Sequence, residues 1–486
     1  MDALLLLLLL LLPAIFFLVL RPSHKNLPPG PFAWPIMGNV NAKLNKAPHI
    51  ALTELGRTHG PLMLVRFGLQ PIVMANTHEA AMQVLKTHDR ALSGRYIPHS
   101  LRMKNHIQHS LVWADCTENW KALRRVSRVE LFSTKMLDAQ MRSREEKVSE
   151  LVNFLSRKEG EVVKLTDGVF GALLNILGHV VFSKDVFNFN DKGDKVGMQR
   201  LIRELLVIGA SPNLADFYPF LGGLDFQGLN RACVERVKQC NAMWESFVEE
   251  RRGMKKEEAE KMHDFLQVLL NNGFNDAQIN AMFLETFGPG SETSSTTIEW
   301  AMAELIKHPP IMAKVVEELI EQVGRGNSVK ESHIPQLVYL QACIKETMRL
   351  HPAAPFLLPH RAVETCEVMG YTIPKDYEIL VNAYAIGRDP RTWQDPLTFN
   401  PDRFLNSDMD YNGNQFQFIP FGAGRRICVG LPLASRTIPL ILGSLIHCFE
   451  WNLPGGVPPE ELLMNDKLSL TLGKDPPLFV CPKVKT

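Results

Sequence analysis

Charge of one sign is scarce in this sequence, where 53 Lys and Arg stand against 52 Asp and Glu for a formal charge of +1. That leaves no cationic surplus to neutralise a run of phosphates, which argues against a dedicated nucleic-acid binder. The eight cysteines, at 116, 233, 240, 343, 366, 428, 448 and 481, form no CxxC pair and no regular framework. A Cys-rich zinc site and a disulfide-stapled fold are thereby set aside, and the thiols suit a reducing compartment. Extremes of composition are missing too: 45% hydrophobic and 22% charged residues point to neither disorder nor a multi-span membrane protein. Length alone, 486 residues, suggests two or three domains. No internal repeat and no second linker support that division, so one large body is expected over residues 41–486.

What is present begins with a long hydrophobic run. Ala3 to Leu20 holds eighteen uncharged residues, enough to cross a bilayer as a helix. A cleaved signal is the rival, but no basic segment precedes the run and no small-x-small cleavage site follows it. Arg21, His24 and Lys25 flank its carboxyl side, which puts the remainder in the cytosol and makes residues 1–20 an anchor. Asn26 to Asn39 then carries four prolines, so a stiff, extended hinge is expected over residues 21–40.

Beyond it, helical spacing dominates, as in Met136–Lys158 and Val234–Arg252. Short β-like runs occur at Pro61–Gly68, Pro71–Thr77 and Tyr377–Ile386. The fold expected is mainly α with small β-sheets.

One helical stretch contains its own disruption. Asn275 and Asp276 are capping candidates and Pro309 and Pro310 a stop, with apolar residues at helical spacing between them. In the middle stand Gly288, Pro289 and Gly290. An interior proline costs roughly 3 kcal/mol and each glycine about 1. A loop between two helices is one reading; a single helix of about thirty residues, locally broken, is the other. The break would free backbone groups beside Glu292, Thr293, Ser294 and Ser295.

The stretch FIPFGAGRRICVGLPLA, Phe418 to Ala434, carries the most chemistry. Gly422, Gly424 and Gly430 let the backbone approach something closely, and Arg425 and Arg426 favour a thiolate at Cys428. A helix is expected just after the cysteine, and its amino terminus adds to that effect. Such a soft anionic sulfur suits iron.

Phe421, Gly424, Arg426, Cys428 and Gly430 match the pattern F-x-x-G-x-R-x-C-x-G, in which the chain resembles the cytochrome P450 family. Three further motifs arrive in that family's order: KETMR with Glu346 and Arg349, FNPDRF with Arg403, and WKALR with Trp120 and Arg124. The resemblance spans the chain and implies a single haem-binding P450 domain behind its anchor. It makes Cys428 the axial iron ligand of haem b, and Glu346, Arg349 and Arg403 a buried structural network. Trp120, Arg124, Arg361 and Arg426 would contact the haem propionates. His360 is a contact residue at most, since thiolate-ligated iron needs no histidine. Pro289, Gly290, Glu292 and Thr293 fall on the oxygen-handling motif of the family's central helix, from which Pro289 departs.

The resemblance also implies electrons from NADPH through cytochrome P450 reductase, and a single-pass anchor in the endoplasmic reticulum membrane. Stretches such as ETFGPGSETSS and YNGNQFQFIPFGAGRRIC resemble a plant alkaloid branch of the family, down to the proline in the central helix. That branch couples phenols of benzylisoquinoline alkaloids, which favours intramolecular C–C coupling of a reticuline-type substrate. Intermolecular C–O coupling to bisbenzylisoquinolines and hydroxylation stay open, as does a non-catalytic haem-binding membrane protein. The Arg95–Leu111 loop, Ala353–Leu358 and Leu470–Leu472 fall where the family lines its pocket.

Overall fold

The computed structural model describes residues 26–39, 46–189, 197–259 and 261–485. The expected anchor, residues 1–20, lies outside the described residues, as do residues 21–25 and 40 of the hinge.

The longer helices are α1 (Pro48–His59), α2 (Glu118–Val126), α3 (Met141–Ser156), α4 (Leu165–Phe182), α5 (Met198–Ala210), α6 (Leu229–Gly253), α7 (Asp276–Lys307), α8 (Pro309–Val323), α9 (Val338–Leu350) and α10 (Leu431–Cys448). The principal sheet has five strands, β1 (Leu62–Phe67), β2 (Gln70–Ala75), β3 (Gly94–Arg95), β4 (His360–Arg361) and β5 (Glu378–Val381). Its order is β1-β2-β5-β4-β3, with β2 and β5 parallel and the other neighbours antiparallel. Smaller two- and three-stranded sheets complete a mainly helical fold.

The sheet forms where the β-like runs stand, with one exception. The run Tyr377–Ile386 is strand only to Val381, because the Asn382 carboxamide accepts from the Ala385 N–H and starts a helical turn, Ala383–Ile386. The helical run from Met136 likewise divides at Gln140, where the backbone leaves helical geometry between Thr134–Ala139 and α3.

The described part of the Pro-rich segment is fastened to the sheet instead of hanging free. Leu64 N–H donates to the Pro29 carbonyl at 2.8 Å and Arg66 N–H to the Asn39 side chain at 2.8 Å. Gly30 is pressed so close to β1 that a Cβ there would meet the Leu64 carbonyl at 1.9 Å. Prolines, which cannot donate, cap this sheet edge against further pairing.

Helix α7 is the axis of the body. It packs on α4, α9 and α10, and Phe283, Phe287, Ile298 and Trp300 are fully buried. Of the two capping candidates Asn275 is the cap, and it forms a capping box, with Gln278 N–H donating to Asn275 Oδ1 and Asn275 N–H to Gln278 Oε1, both at 3.0 Å. The helix runs unbroken through Gly288–Pro289–Gly290, correcting the expected local break. Burial on nearly all sides supplies what propensity lacks, since a buried Phe or Ile contributes about 1.5–3 kcal/mol. Gly290 has a packing reason of its own, for a Cβ there would stand 3.1 Å from Leu177 Cδ1 of α4.

Candidate functional site

Between Ala281 and Ile306 of α7, Pro289 alone is exposed, with Gly290, Glu292 and Thr293 partly open beside it. Thr293 Oγ1 donates to the Pro289 carbonyl at 2.7 Å, and Ser291 Oγ to the Phe287 carbonyl at 2.7 Å. Hydroxyls bonded back four residues bend a helix gently without interrupting it. Glu292 leaves from a neighbouring face: Thr471 Oγ1 donates to its Oε1 at 3.4 Å. Burial raises the Glu292 carboxyl, while Arg203, Thr471 and Lys164 partly offset the effect.

Helix α10, packed against α7, begins just after Cys428, as its Leu-Pro start predicts. Gly424, at φ +66°, lies so close to the turn Gln83–Thr87 that a Cβ would meet the Leu85 carbonyl at 1.9 Å, so only glycine fits. Cys428 N–H donates to the Phe421 carbonyl at 3.0 Å, closing the loop, and Phe421 packs edge-on against Tyr411. A Cβ on Gly430 would stand 3.8 Å from Cys428 Sγ, within ordinary contact. Cys428 is exposed at the surface of its loop, yet the protein packed around it desolvates the thiol and pushes it up, against the pull of the Gly430 N–H, Arg124 and the Leu431 N–H. The sequence assigned that cationic role to Arg425 and Arg426, and the structure reassigns it. Arg425 pairs with Asp89 at 3.2 Å, while Arg426 turns to the carbonyls of Ser93 and Ala114.

Arg124 and Arg426 both lie over the ring of Trp120, whose Nε1 donates to the Leu111 carbonyl at 2.9 Å. Arg95 joins them, donating to the carbonyls of Leu358 and Val112. Burial and the neighbouring Arg426 bring its guanidinium down to about 9. His360 stands opposite Arg95 in the ladder, its imidazole bonded to the Leu92 carbonyl and held well below its usual pKa by burial, then Arg95. Arg361 is not part of this cluster. Alternation along β4 sends it the other way, where Asp376 and Asp115 each take one terminal nitrogen at 2.7 Å. Sequence reasoning missed Arg95, whose surroundings carry no motif.

Glu346, Arg349 and Arg403 do meet. Arg349 is bidentate to Glu346 at 2.7 and 2.8 Å, and Arg403 Nε reaches the same carboxylate at 3.0 Å. Asn400 N–H completes the shell, and Arg349 also donates to the carbonyls of Gly387 and Pro396. A buried ion pair so fully hydrogen-bonded ties α9 to the Asn400–Phe404 turn.

The family profile described as Cytochrome P450 matches residues 28–480. The chain belongs to the cytochrome P450 family. Among its relatives, this P450 is 61% identical to corytuberine synthase of Coptis japonica over 97% of both chains. It is 51% identical to berbamunine synthase of Berberis stolonifera, again over 97% of both. It is also 51% identical to a probable (S)-N-methylcoclaurine 3'-hydroxylase, isozyme 2, of Coptis japonica, over 96% of both.

A P450 carries haem and draws electrons from a redox partner, and the residues here fit that group. Arg95, Arg124 and Arg426 form no ion pair among the described residues, and Arg426 Nη1 is buried without a partner. Three clustered guanidiniums lacking carboxylates of their own suit the two propionates. Cys428, presented by a glycine-shaped loop at the start of α10, suits the iron.

Proposed function

We propose that this P450 couples the phenolic rings of a benzylisoquinoline alkaloid, with intramolecular C–C coupling of a reticuline-type substrate as its main reaction. The 61% identity with corytuberine synthase over nearly the whole of both chains carries this reading. Electrons come from NADPH through cytochrome P450 reductase, and the anchor holds the enzyme on the cytosolic face of the endoplasmic reticulum. The reaction balances as substrate, O2, NADPH and a proton giving product short of two hydrogens, NADP+ and two waters.

Bound haem supplies oxygen activation and oxidation of the phenols. Cys428 would hold its iron and Arg95, Arg124 and Arg426 its carboxylates, with the Trp120 ring beneath two of those guanidiniums and neutral His360 beside Arg95. Thr293 passes a proton at Oγ1, and Glu292, its carboxyl raised by burial, replenishes it. Pro289 presents a ring and no N–H at the open turn of α7. The Glu285 carbonyl therefore lacks its helical donor, and water beside Thr293 is rearranged in favour of coupling over oxygen insertion.

Incubation with reductase, NADPH and reticuline tests the reading by product mass. Loss of two hydrogens supports it. A near doubling means intermolecular coupling, one added oxygen means hydroxylation, and either would replace it. Pro289→Ala is expected to raise the share of hydroxylated product, and an unchanged product ratio would remove Pro289 from the account.

A further inference from the structure

Glu285 lies one turn before Pro289 and two before Thr293, on the same stripe of α7. Its carboxylate makes no contact within its own helix and instead grips the chain that follows the short helix Lys104–Ile107. Ser110 Oγ donates to Oε1, while the N–H groups of Leu111 and Val112 donate to Oε2 at 2.6 and 3.2 Å. His106 Nε2 stands 3.5 Å from Oε1. Ser110 is fully buried and its Oγ also accepts from Trp113 N–H at 2.6 Å, so the turn is bound from both sides.

The same few residues carry a second set of bonds on their carbonyl side. Leu111 accepts from Trp120, Val112 from Arg95 and Ala114 from Arg426. One side chain on the central helix therefore fixes the N–H side of a turn whose carbonyls orient three members of the propionate cluster. Three of the roughly four acceptor sites on the carboxylate are thereby taken, which leaves little for the ammonium of an alkaloid substrate.

We infer that Glu285 is a positioning residue that clamps the His106–Ala114 segment to α7, making it a rigid wall beside Pro289 and setting both substrate fit and propionate geometry. The alkaloid half of this inference rests on the coupling reading. The clamp itself does not.

Hydrogen exchange on the haem-loaded protein reads the clamp directly. In Glu285→Ala, exchange at Leu111 and Val112 is expected to rise at least about tenfold while α4 and α10 are unchanged. Glu285→Gln, which keeps one acceptor oxygen, should fall between. Ser110→Ala, which removes one donor to Glu285 and the acceptor for Trp113 N–H but leaves the Leu111 and Val112 bonds, gives a second version should Glu285→Ala fail to fold. Alongside, the half-saturation of the substrate-induced Soret shift and KM should rise together by about tenfold in Glu285→Ala, with the loss falling on KM more than kcat. Unchanged exchange overturns the clamp. Faster exchange with unaltered half-saturation, KM and product ratio overturns its role in substrate fit. If wild type shows no Soret response to the alkaloid, the coupling reading fails, and the exchange result still decides the clamp.

Discussion

Thr293 donates its hydroxyl hydrogen to the carbonyl of Pro289, the single exposed residue in the buried length of the central helix. A proton-passing hydroxyl is thus held by the residue that interrupts the expected motif. Thr293→Ser keeps the donor and Thr293→Val removes it at similar volume. Product formed per NADPH consumed is expected to fall by about a hundredfold or more in the valine variant and only a few-fold in the serine variant. Equal ratios in both variants would deny the hydroxyl a role in proton delivery.

The two glycines flanking Pro289 differ, although sequence treats them alike. A Cβ on Gly288 meets nothing within 4 Å, whereas on Gly290 it meets Leu177 Cδ1 at 3.1 Å. Gly288→Ala is expected to stabilise by about 1 kcal/mol, through helix propensity and a less flexible unfolded chain. Gly290→Ala gains the same term and loses it to crowding against α4. Denaturant unfolding of the two variants should separate them by about 1 kcal/mol, and identical midpoints would contradict the packing role of Gly290.

Much of this is legible in the amino-acid sequence. Cys428, Glu346, Arg349 and Arg403 sit in short motifs whose spacing reflects direct chemistry, and helix α10 begins where its Leu-Pro start predicts. Helix α7 was legible at its capped ends and misread in the middle, because local propensity favours a break while tertiary burial decides against it. Arg361 and His360 show a different limit. They are adjacent in sequence, and only strand pairing reveals that His360 and Arg95 share a face while Arg361 turns to Asp115 and Asp376. Glu285 stands out in the sequence only as a carboxylate that could meet a substrate ammonium, and its hold on Ser110, Leu111 and Val112 was invisible because those partners lie more than 170 residues away.

That strand register yields a contrast in haem retention. Arg95→Leu removes one of three guanidiniums assigned to the propionates, and is expected to weaken haem retention by about tenfold, as for a charge-assisted pair. Arg361→Leu breaks two partly exposed surface pairs, worth about 1 kcal/mol or less each, and should leave haem retention within twofold. Haem transfer to an excess of apomyoglobin measures both. Greater loss from Arg361→Leu would restore it to the propionate site and remove Arg95.

Glu299, two turns beyond Glu292 on α7, gives the fold a dependence on pH. Burial, opposed by the Leu478 N–H bond at 2.8 Å and by Lys474 and Lys164, pushes its carboxyl up to about 7. From about pH 4.5 to 7 the folded protein therefore holds a proton that the unfolded chain releases. Stability from this group falls as pH rises through that window and stays low above it. Glu299→Gln keeps an acceptor for Leu478 and carries no charge at any pH. The variant should match wild type near pH 4.5 and exceed it near pH 8 by on the order of 2–3 kcal/mol. Denaturant melts across that range measure the difference, and a gap that shrinks as pH rises would reverse the sign and reject the assignment.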